Sequence, residues 1–295
     1  MTAHGGDVVV GVDPAAIGMA PLFQAMEEAN LRGCRLRVVS VWSYPPLSTE
    51  ERLLTTASAL EAEAIDRVGA AVAQLRDGDD SRRSTVEVDV VEGPPAKVLI
   101  SEASGGALLV VGRRDRSRLR HLLLGSVADQ CVRHCPEPVM VVPSEWDPSQ
   151  HQSGDIVVGM DFSEMSRAAL EWALEEARLR GVSVRVVHCW EEPMIFGGDL
   201  MMELPDAALL ERSARERLDG LVASLDPPDG VTVSAETVRG RPGPALTEAA
   251  EGAALTVIGT RGLGGFSGLL LGSVARRVTH LAAGPVVVIR SSTKE

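Results

Sequence analysis

Residues 155–161 of this 295-residue chain read DIVVGMD, and residues 7–13 read DVVVGVD, almost the same heptapeptide 148 positions earlier. A second heptapeptide, LLLGSVA, occurs unchanged at 122–128 and at 269–275, an offset of 147. A repeat of this length is too long for a solenoid unit and has the size of an ordinary domain. The chain is therefore predicted to carry the same domain twice.

The stretch between the two copies sets the predicted domain boundaries. It reads PSEWDPSQHQSG from Pro143 to Gly154, which is the polar composition of a linker. We therefore predict a first domain at 1–144, a linker at 145–154 and a second domain at 155–295.

Each copy alternates short aliphatic runs with segments of helical periodicity. Leu22, Ala25, Met26 and Ala29 have the i, i+3, i+4, i+7 spacing of one helix face. The order βαβαβαβαβ predicts an α/β fold: two tandem, doubly wound domains, each with a five-stranded parallel sheet of the Rossmann-like or flavodoxin-like kind. The predicted strands are about 7–12, 35–41, 85–91, 107–112 and 138–142, then 155–160, 183–189, 231–238, 254–259 and 285–290.

Composition excludes several classes of function. The net charge is −12 and only nine residues are aromatic, which argues against nucleic acid as a partner. No charge-free apolar run reaches 18 residues, so we expect no membrane association, and four scattered cysteines suit a cytoplasmic protein. Cys131, His134 and Cys135 share one helical face but lack a fourth ligand, so we predict buried thiols there and no metal site.

Doubly wound sheets bind ligands where the strand order reverses, which is predicted between the first and fourth strands of each copy. Residues suited to ligand binding follow both of these strands. Asp13 and Asp161 end the first strand of each copy. In copy two the fourth strand runs into a glycine loop, Gly259-x2-Gly262-x9-Gly272, and Ser273 then opens a helix. Glycines allow close approach of backbone amides, and a helix N-terminus attracts anions, so a phosphate is expected at this loop, with Ser273 capping the helix or donating to the phosphate.

Plainer interpretations apply to each of these features taken alone. A glycine-rich loop after a buried strand is often only a turn, and an aspartate after a strand often caps the next helix, a task for which Ser163 competes. The coincidence of both features at adjacent strand ends favours a nucleotide, whose ribose hydroxyl would donate to Asp161. No GxxxxGK[ST], GxGxxG after the first strand, GxSxG or HExxH is present, so positive evidence for catalysis is lacking.

The long-spaced glycine motif, together with Val-Gly-Met-Asp at 158–161, resembles the ATP-binding branch of the universal stress protein family, over essentially the whole chain. The resemblance implies an adenine nucleotide alpha hydrolase-like fold and a cytoplasmic stress-response regulator that binds ATP, with Mg²⁺ as its possible companion, and hydrolyses it slowly at most. It places the ribose near Met160 and Asp161 and adenine beside Cys189. It assigns the phosphates to Gly259, Gly262, Gly272, Ser273 and Val274, and it counts Thr260 and Arg261 among the nucleotide-binding residues.

Copy one departs from this pattern because Asp115 stands where copy two has Gly262. A carboxylate about 6 Å from a phosphate charge costs about 3 kcal/mol at an effective dielectric of 20, or about two orders of magnitude in affinity. Five arginines between 113 and 120 would offset part of this cost. We therefore predict a weaker site in copy one, formed by Val12, Asp13, Val41, Gly112, Gly125, Ser126 and Val127.

The family resemblance also implies association through the last strand of each domain, Pro138–Val142 and Pro285–Ile289, and a homodimer with an unidentified protein partner. Two alternatives to the nucleotide-binding regulator stay open. One is a weak ATPase or phosphotransferase in which Asp161 and Ser273 face a metal-bound triphosphate. The other is a dimerisation module that binds no nucleotide. Segments 43–58 and 191–206 are candidates for covering the site or contacting partners.

Overall fold

A computed structural model of the chain describes residues 6–43, 57–76, 84–113, 124–147, 154–192, 206–263 and 270–290. The chain divides into two compact units, Met1–Gln150 and His151–Ser291. Within the described residues, no helix is long and apolar enough to cross a membrane.

The first unit has five strands and four helices in the described ranges. Its strands pair in parallel in the order β3-β2-β1-β4-β5, so the order reverses between β1 and β4. The elements are β1 (Val8–Val12), α1 (Met19–Arg32), β2 (Leu36–Trp42), α2 (Ala57–Arg76), β3 (Val86–Glu92), α3 (Pro95–Glu102), β4 (Leu108–Arg113), α4 (Ser126–His134) and β5 (Val139–Pro143).

The second unit repeats this arrangement. Its parallel strands pair in the order β8-β7-β6-β9-β10, with the reversal between β6 and β9. The elements are β6 (Ile156–Gly159), α5 (Glu164–Arg180), β7 (Val184–Trp190), α6 (Ala207–Ala223), β8 (Val233–Arg239), α7 (Pro242–Ala249), β9 (Leu255–Gly259), α8 (Ser273–Leu281) and β10 (Val286–Ile289). The predicted α/β fold of two doubly wound, five-stranded parallel-sheet domains is confirmed, and each predicted strand end lies within two residues of the observed one.

Burial follows the hydrophobic pattern of the sequence. Strand β4 is buried from Leu108 to Val111, as expected when helices cover both faces of a parallel sheet. The four apolar positions predicted for one face of α1 are all buried as well. Removal of these aliphatic side chains from water is the main term that stabilises each unit, at about 1.5–3 kcal/mol for a large side chain.

Two local expectations needed correction. Trp146, in the stretch predicted as a polar linker, is 9% exposed, and its indole N–H donates to Gln24 Oε1 at 3.0 Å, so these residues pack within the first unit. The i, i+3, i+4, i+7 spacing of Leu218, Leu221, Val222 and Leu225 predicts one buried helix face in the second copy. In the structure α6 ends at Ala223, and of these four residues only Leu218 is fully buried. The prolines at 227 and 228 disfavour continuation of the helix.

Candidate functional site

The carboxyl ends of β6 and β9 are adjacent in the sheet, and each opens into a segment that the sequence singled out. Beyond β6, Met160 N donates to Val187 O at 2.8 Å, and Asp161 follows. Beyond β9, Thr260 N donates to Ile289 O at 2.9 Å. These bonds extend the strand pairing by one residue and fix where both turns begin. The strand order reverses here, which is the position where doubly wound sheets form a ligand-binding crevice.

Asp161 receives hydrogen bonds from both of these segments. Its Oδ1 accepts from the backbone N and the hydroxyl of Ser163, at 3.0 and 2.5 Å, and its Oδ2 accepts from Leu263 N at 2.8 Å. Burial alone would raise the pKa of this carboxyl, but the bonds from Ser163 and Leu263 outweigh that effect and lower the pKa below its ordinary value. The side chain is therefore ionised at neutral pH.

This arrangement modifies what the sequence predicted for Asp161. A ribose hydroxyl was expected to donate to a carboxylate whose competing task was to cap the next helix. The cap of α5 is Ser163, whose hydroxyl accepts from Ser166 N at 3.2 Å. Asp161 instead joins the turn after β6 to the loop after β9, and its Oδ2, which accepts one bond, retains acceptor capacity for a further donor.

The residue after Asp161 has an uncommon backbone conformation. Phe162 has φ 66°, in the left-handed region that residues other than glycine rarely occupy. The Arg217 guanidinium lies 3.8 Å from the centre of the Phe162 ring, and the His188 ring contacts it edge-on at 4.9 Å. His188 Nδ1 also donates to Met160 O at 2.7 Å, which fixes the proton on that nitrogen. These contacts hold the turn that presents Asp161, and sequence reasoning missed them because they join three distant segments.

Different neighbours leave little room for a Cβ at the two glycines that begin the loop. A Cβ on Gly259 would lie 2.6 Å from Met165 Cβ and 2.9 Å from its carbonyl carbon, so this glycine allows α5 to approach β9. A Cβ on Gly262 would lie 2.0 Å from Asp161 Oδ2. The expectation that both glycines serve anion approach is therefore incomplete, since protein contacts already require them.

The glycine loop closes at its base and leads into α8. Gly272 N donates to Thr260 O at 2.7 Å, which brings the start of α8 next to the end of β9. Gly272 is the N-cap of this helix, and Ser273 is its first residue, so the expected capping role of Ser273 is wrong. Within the described residues, the N-terminus of α8 has neither a side-chain cap nor an acidic residue in its first turn.

The remaining residues predicted for the second site differ in accessibility. Met160 is 3% exposed, and its sulfur lies 3.2 Å from Ser166 Oγ, so its side chain packs beneath the crevice and only its backbone is at the turn. Cys189 is half-buried at the end of β7, 3.8 Å from Pro242 O, and burial raises the pKa of its thiol to about 11. Arg261 and Ser273 are exposed, whereas Val274 is partly covered.

The first unit builds the same turns with different side chains. Asp13 Oδ1 accepts from Ala15 N at 2.8 Å, the counterpart of the bond between Asp161 and Ser163 N. Gly125 is the N-cap of α4, again without a side-chain cap. Val12 and Val41 are buried, and Gly112, Ser126 and Val127 occupy the positions of Gly259, Ser273 and Val274.

A charge difference at these two helices was missed in the sequence. Asp129 lies in the first turn of α4 and forms an ion pair with Arg133 at 2.8 Å, while the matching position of α8 is the exposed Arg276. Comparison of the two LGSVA segments one residue further along would have found it. Asp115 and the arginines at 114, 116, 118 and 120 lie outside the described residues, as do most of the segments 43–58 and 191–206.

The buried thiols of the first unit fit a core rather than a site. Cys131 and Cys135 are 0% and 1% exposed, and burial raises the pKa of Cys131 to about 12. Among the residues that the structure covers, no group of three or more histidines, cysteines or acidic residues is placed to hold a metal ion.

The fold and the crevice define a class: a tandem α/β protein in which each doubly wound unit places a glycine-capped helix at its strand-order reversal. The model of the universal stress protein family matches residues 6–143 and 153–290. The chain therefore belongs to the universal stress protein family, with two such domains in tandem, and the resemblance stated from its motifs is confirmed.

Relatives of similar length share this organisation. Two universal stress proteins of Mycobacterium tuberculosis are 32% and 33% identical to this chain; the alignments cover 96% and 98% of this chain and 94% and 98% of those proteins. The crystal structure of a universal stress protein from Archaeoglobus fulgidus superposes with a TM-score of 0.69 at 19% identity, over 96% of this chain and 98% of that one. That likeness supports the fold.

Proposed function

We propose that the second unit binds an adenine nucleotide, with its phosphates at the N-terminus of α8 and its ribose beside Asp161. One observation carries the proposal: in the described residues, the first turn of α8 has no capping side chain and no acidic residue, at the carboxyl end of β9. The unpaired amides of a helix N-terminus and its partial positive charge favour a phosphate. In the same unit α5 and α6 are capped by Ser163 and Asp206, whereas α7, like α8, has no side-chain cap. What distinguishes α8 from α7 is that it follows β9, one of the two strands at the strand-order reversal.

The surrounding charges support the same ligand. Arg261 lies within the glycine loop, next to Gly262, and Arg276 and Arg277 follow the end of the loop; all three are exposed. Basic residues near a helix N-terminus disfavour the isolated helix, since the macrodipole prefers acidic residues there. A bound polyphosphate would offset this cost.

The first unit is proposed as the weaker site. Asp129 places a negative charge in the first turn of α4, where α8 has Arg276. Asp115 replaces the second glycine of the motif. Both changes oppose an anion at the helix that begins at Ser126.

The proposed physiological role is that of a cytoplasmic stress-response regulator that works as a homodimer through a protein partner and uses ATP, accompanied by Mg²⁺, as its ligand. Pairing of the two domains through their last strands stays a prediction. The weak-ATPase alternative predicts turnover above background that vanishes in Asp161→Ala, because Asp161 and Ser273 are the side chains available to face the metal-bound triphosphate. Absence of any bound or bindable nucleotide would select the dimerisation module instead.

The variant that tests the proposed site most directly places at position 262 the aspartate that the first unit has at position 115. Gly262→Asp is expected to lower ATP affinity by about two orders of magnitude, because a charge about 6 Å from a phosphate costs about 3 kcal/mol at a dielectric of 20. Calorimetric titration with ATP, ADP and AMP measures the change.

Gly220→Asp is the matched control for this variant. It makes the same substitution at an exposed position of α6 where a Cβ meets no atom within 4 Å. Equal ATP binding by the wild type and by Gly262→Asp would overturn the proposed site.

A further inference from the structure

The bond between Asp161 Oδ2 and Leu263 N, here called the Asp161–Leu263 bridge, spans the crevice from the turn after β6 to the loop after β9. Its length of 2.8 Å is that of a charge-assisted hydrogen bond. Leu263 is 69% exposed, so burial of its side chain does not hold it in place. The bridge is therefore a contact that holds Leu263 in place, in addition to the backbone bonds of Thr260 at the base of the loop.

The geometry at Gly262 depends on this bridge. The φ angle of Gly262 lies outside the left-handed region, so its backbone is open to other residues. The three atoms nearest to a Cβ at this position all belong to Asp161, with Oδ2 at 2.0 Å and Cγ at 3.1 Å. A Cβ at position 262 would displace the Asp161 carboxylate from the place where it accepts the Leu263 bond, so glycine at this position is what allows the bridge to form.

The contact with the Asp161 carboxylate is particular to Gly262 and is not shared by Gly259. A Cβ on Gly259 would meet the backbone of Met165, so that glycine serves the packing of α5. The two glycines of the Gly259-x2-Gly262 pair therefore make room for different neighbours: Gly259 for helix α5, and Gly262 for the Asp161 carboxylate.

We infer that Asp161 is a positioning residue for the glycine loop, and that Gly262 serves this carboxylate rather than the phosphates. The inference rests on the proposed nucleotide site and adds the coupling between its two halves. Through the bridge, the residue proposed to recognise the ribose also fixes the first amide of the loop proposed to bind phosphate, before any ligand arrives. Such preorganisation lowers the entropy cost of binding.

The same inference bears on the first copy. Position 115 carries an aspartate, and any residue with a Cβ at that position is incompatible with the carboxylate position seen in the second unit. The inference therefore predicts that the first copy does not preorganise its loop in this way, independently of the charge repulsion that Asp115 adds.

A double-mutant cycle on the full-length protein tests the coupling, with the dissociation constant of ATP as the readout. Gly262→Ala is expected to weaken ATP binding about tenfold in the wild type, because the methyl group displaces Asp161 and breaks a bond of the strength expected for a charged acceptor. In the Asp161→Ala background the same change is expected to cost less than about twofold. Gly220→Ala is the control, since its Cβ meets open space.

The outcome of the cycle separates the two roles of Gly262. An equal loss in both backgrounds would show that the glycine serves the phosphates directly and would overturn the inference while leaving the proposed nucleotide site intact. Absence of ATP binding by the wild type would instead refute the proposed function.

Hydrogen exchange without ligand tests the bridge even if the wild type does not bind ATP. It also tests the bridge if Asp161→Ala fails to fold. In the wild type, the Leu263 amide is expected to exchange its hydrogen about tenfold or more slowly than an unbonded exposed amide, a factor within reach of one hydrogen bond to a charged acceptor. Gly262→Ala is expected to remove this protection. Exchange of the Leu263 amide at the unprotected rate in the wild type would refute the bridge.

Discussion

The helix that begins at Ser273 carries Arg276 near its N-terminus, whereas the helix that begins at Ser126 carries Asp129 at the same place. The two units otherwise share their strand order, the position of the reversal and the aspartate after the first strand. The duplication has thus kept the residues that fold the sheet and changed the charges at its carboxyl edge. The proposed difference in ligand affinity between the two units is assigned to these charges and to position 115.

The largest expected effect comes from making the first unit resemble the second. Asp115→Gly is expected to strengthen ATP binding by the first unit by up to about two orders of magnitude, because it removes a charge worth about 3 kcal/mol at 6 Å and a dielectric of 20. Calorimetry in the Gly262→Asp background isolates this site. Asp229→Gly, at an exposed position, changes the net charge equally and should leave the affinity unaltered.

An unchanged affinity in Asp115→Gly would mean that residue 115 is not what separates the two units. The charges at the described helix N-termini would then be left as candidates, with Asp129 opposite Arg276 and the uncharged Gln130 opposite Arg277.

A smaller effect concerns stability. Gly259→Ala is expected to lower the free energy of unfolding of the second unit by about 1–3 kcal/mol, since its Cβ would lie 2.9 Å from the backbone of Met165 and force a helix to shift. The matching Gly112→Ala meets only Pro21 Cγ, at 3.0 Å, and should cost less. Denaturant unfolding of the two variants measures the difference. Equal losses in the free energy of unfolding would show that moving α5 away from the new methyl group costs no more than moving the Pro21 ring.

Much of the fold could be predicted from the sequence because its signals are local and repeated. An aliphatic run predicts a strand, and the i, i+3, i+4, i+7 spacing predicts a helix, each from only a few residues. Because the domain is duplicated, the same pattern occurs twice and supports the prediction in both copies. The burial of Trp146 was not predicted because its hydrogen bond to Gln24 joins residues more than a hundred positions apart, which no local pattern reveals.

The site was only partly predictable for the same reason. Asp161 and the loop glycines were found from their places after strands. The bond from Leu263 to Asp161, and the Arg217 and His188 contacts with Phe162, bring together segments that no spacing rule connects. Cys189 and Met160 were placed by resemblance, and strand alternation alone does not say how far each side chain is covered.

Hydrogen exchange of the full-length protein, with and without ATP, tests the central claim most directly, because it reports on individual amides of both units at once. The account predicts that ATP slows exchange at Ser273 and Val274, the first residues of α8, at concentrations where Ser126 and Val127 of α4 are little affected. Unchanged exchange at Ser273 and Val274 under saturating ATP, or slowing confined to Ser126 and Val127, would contradict it.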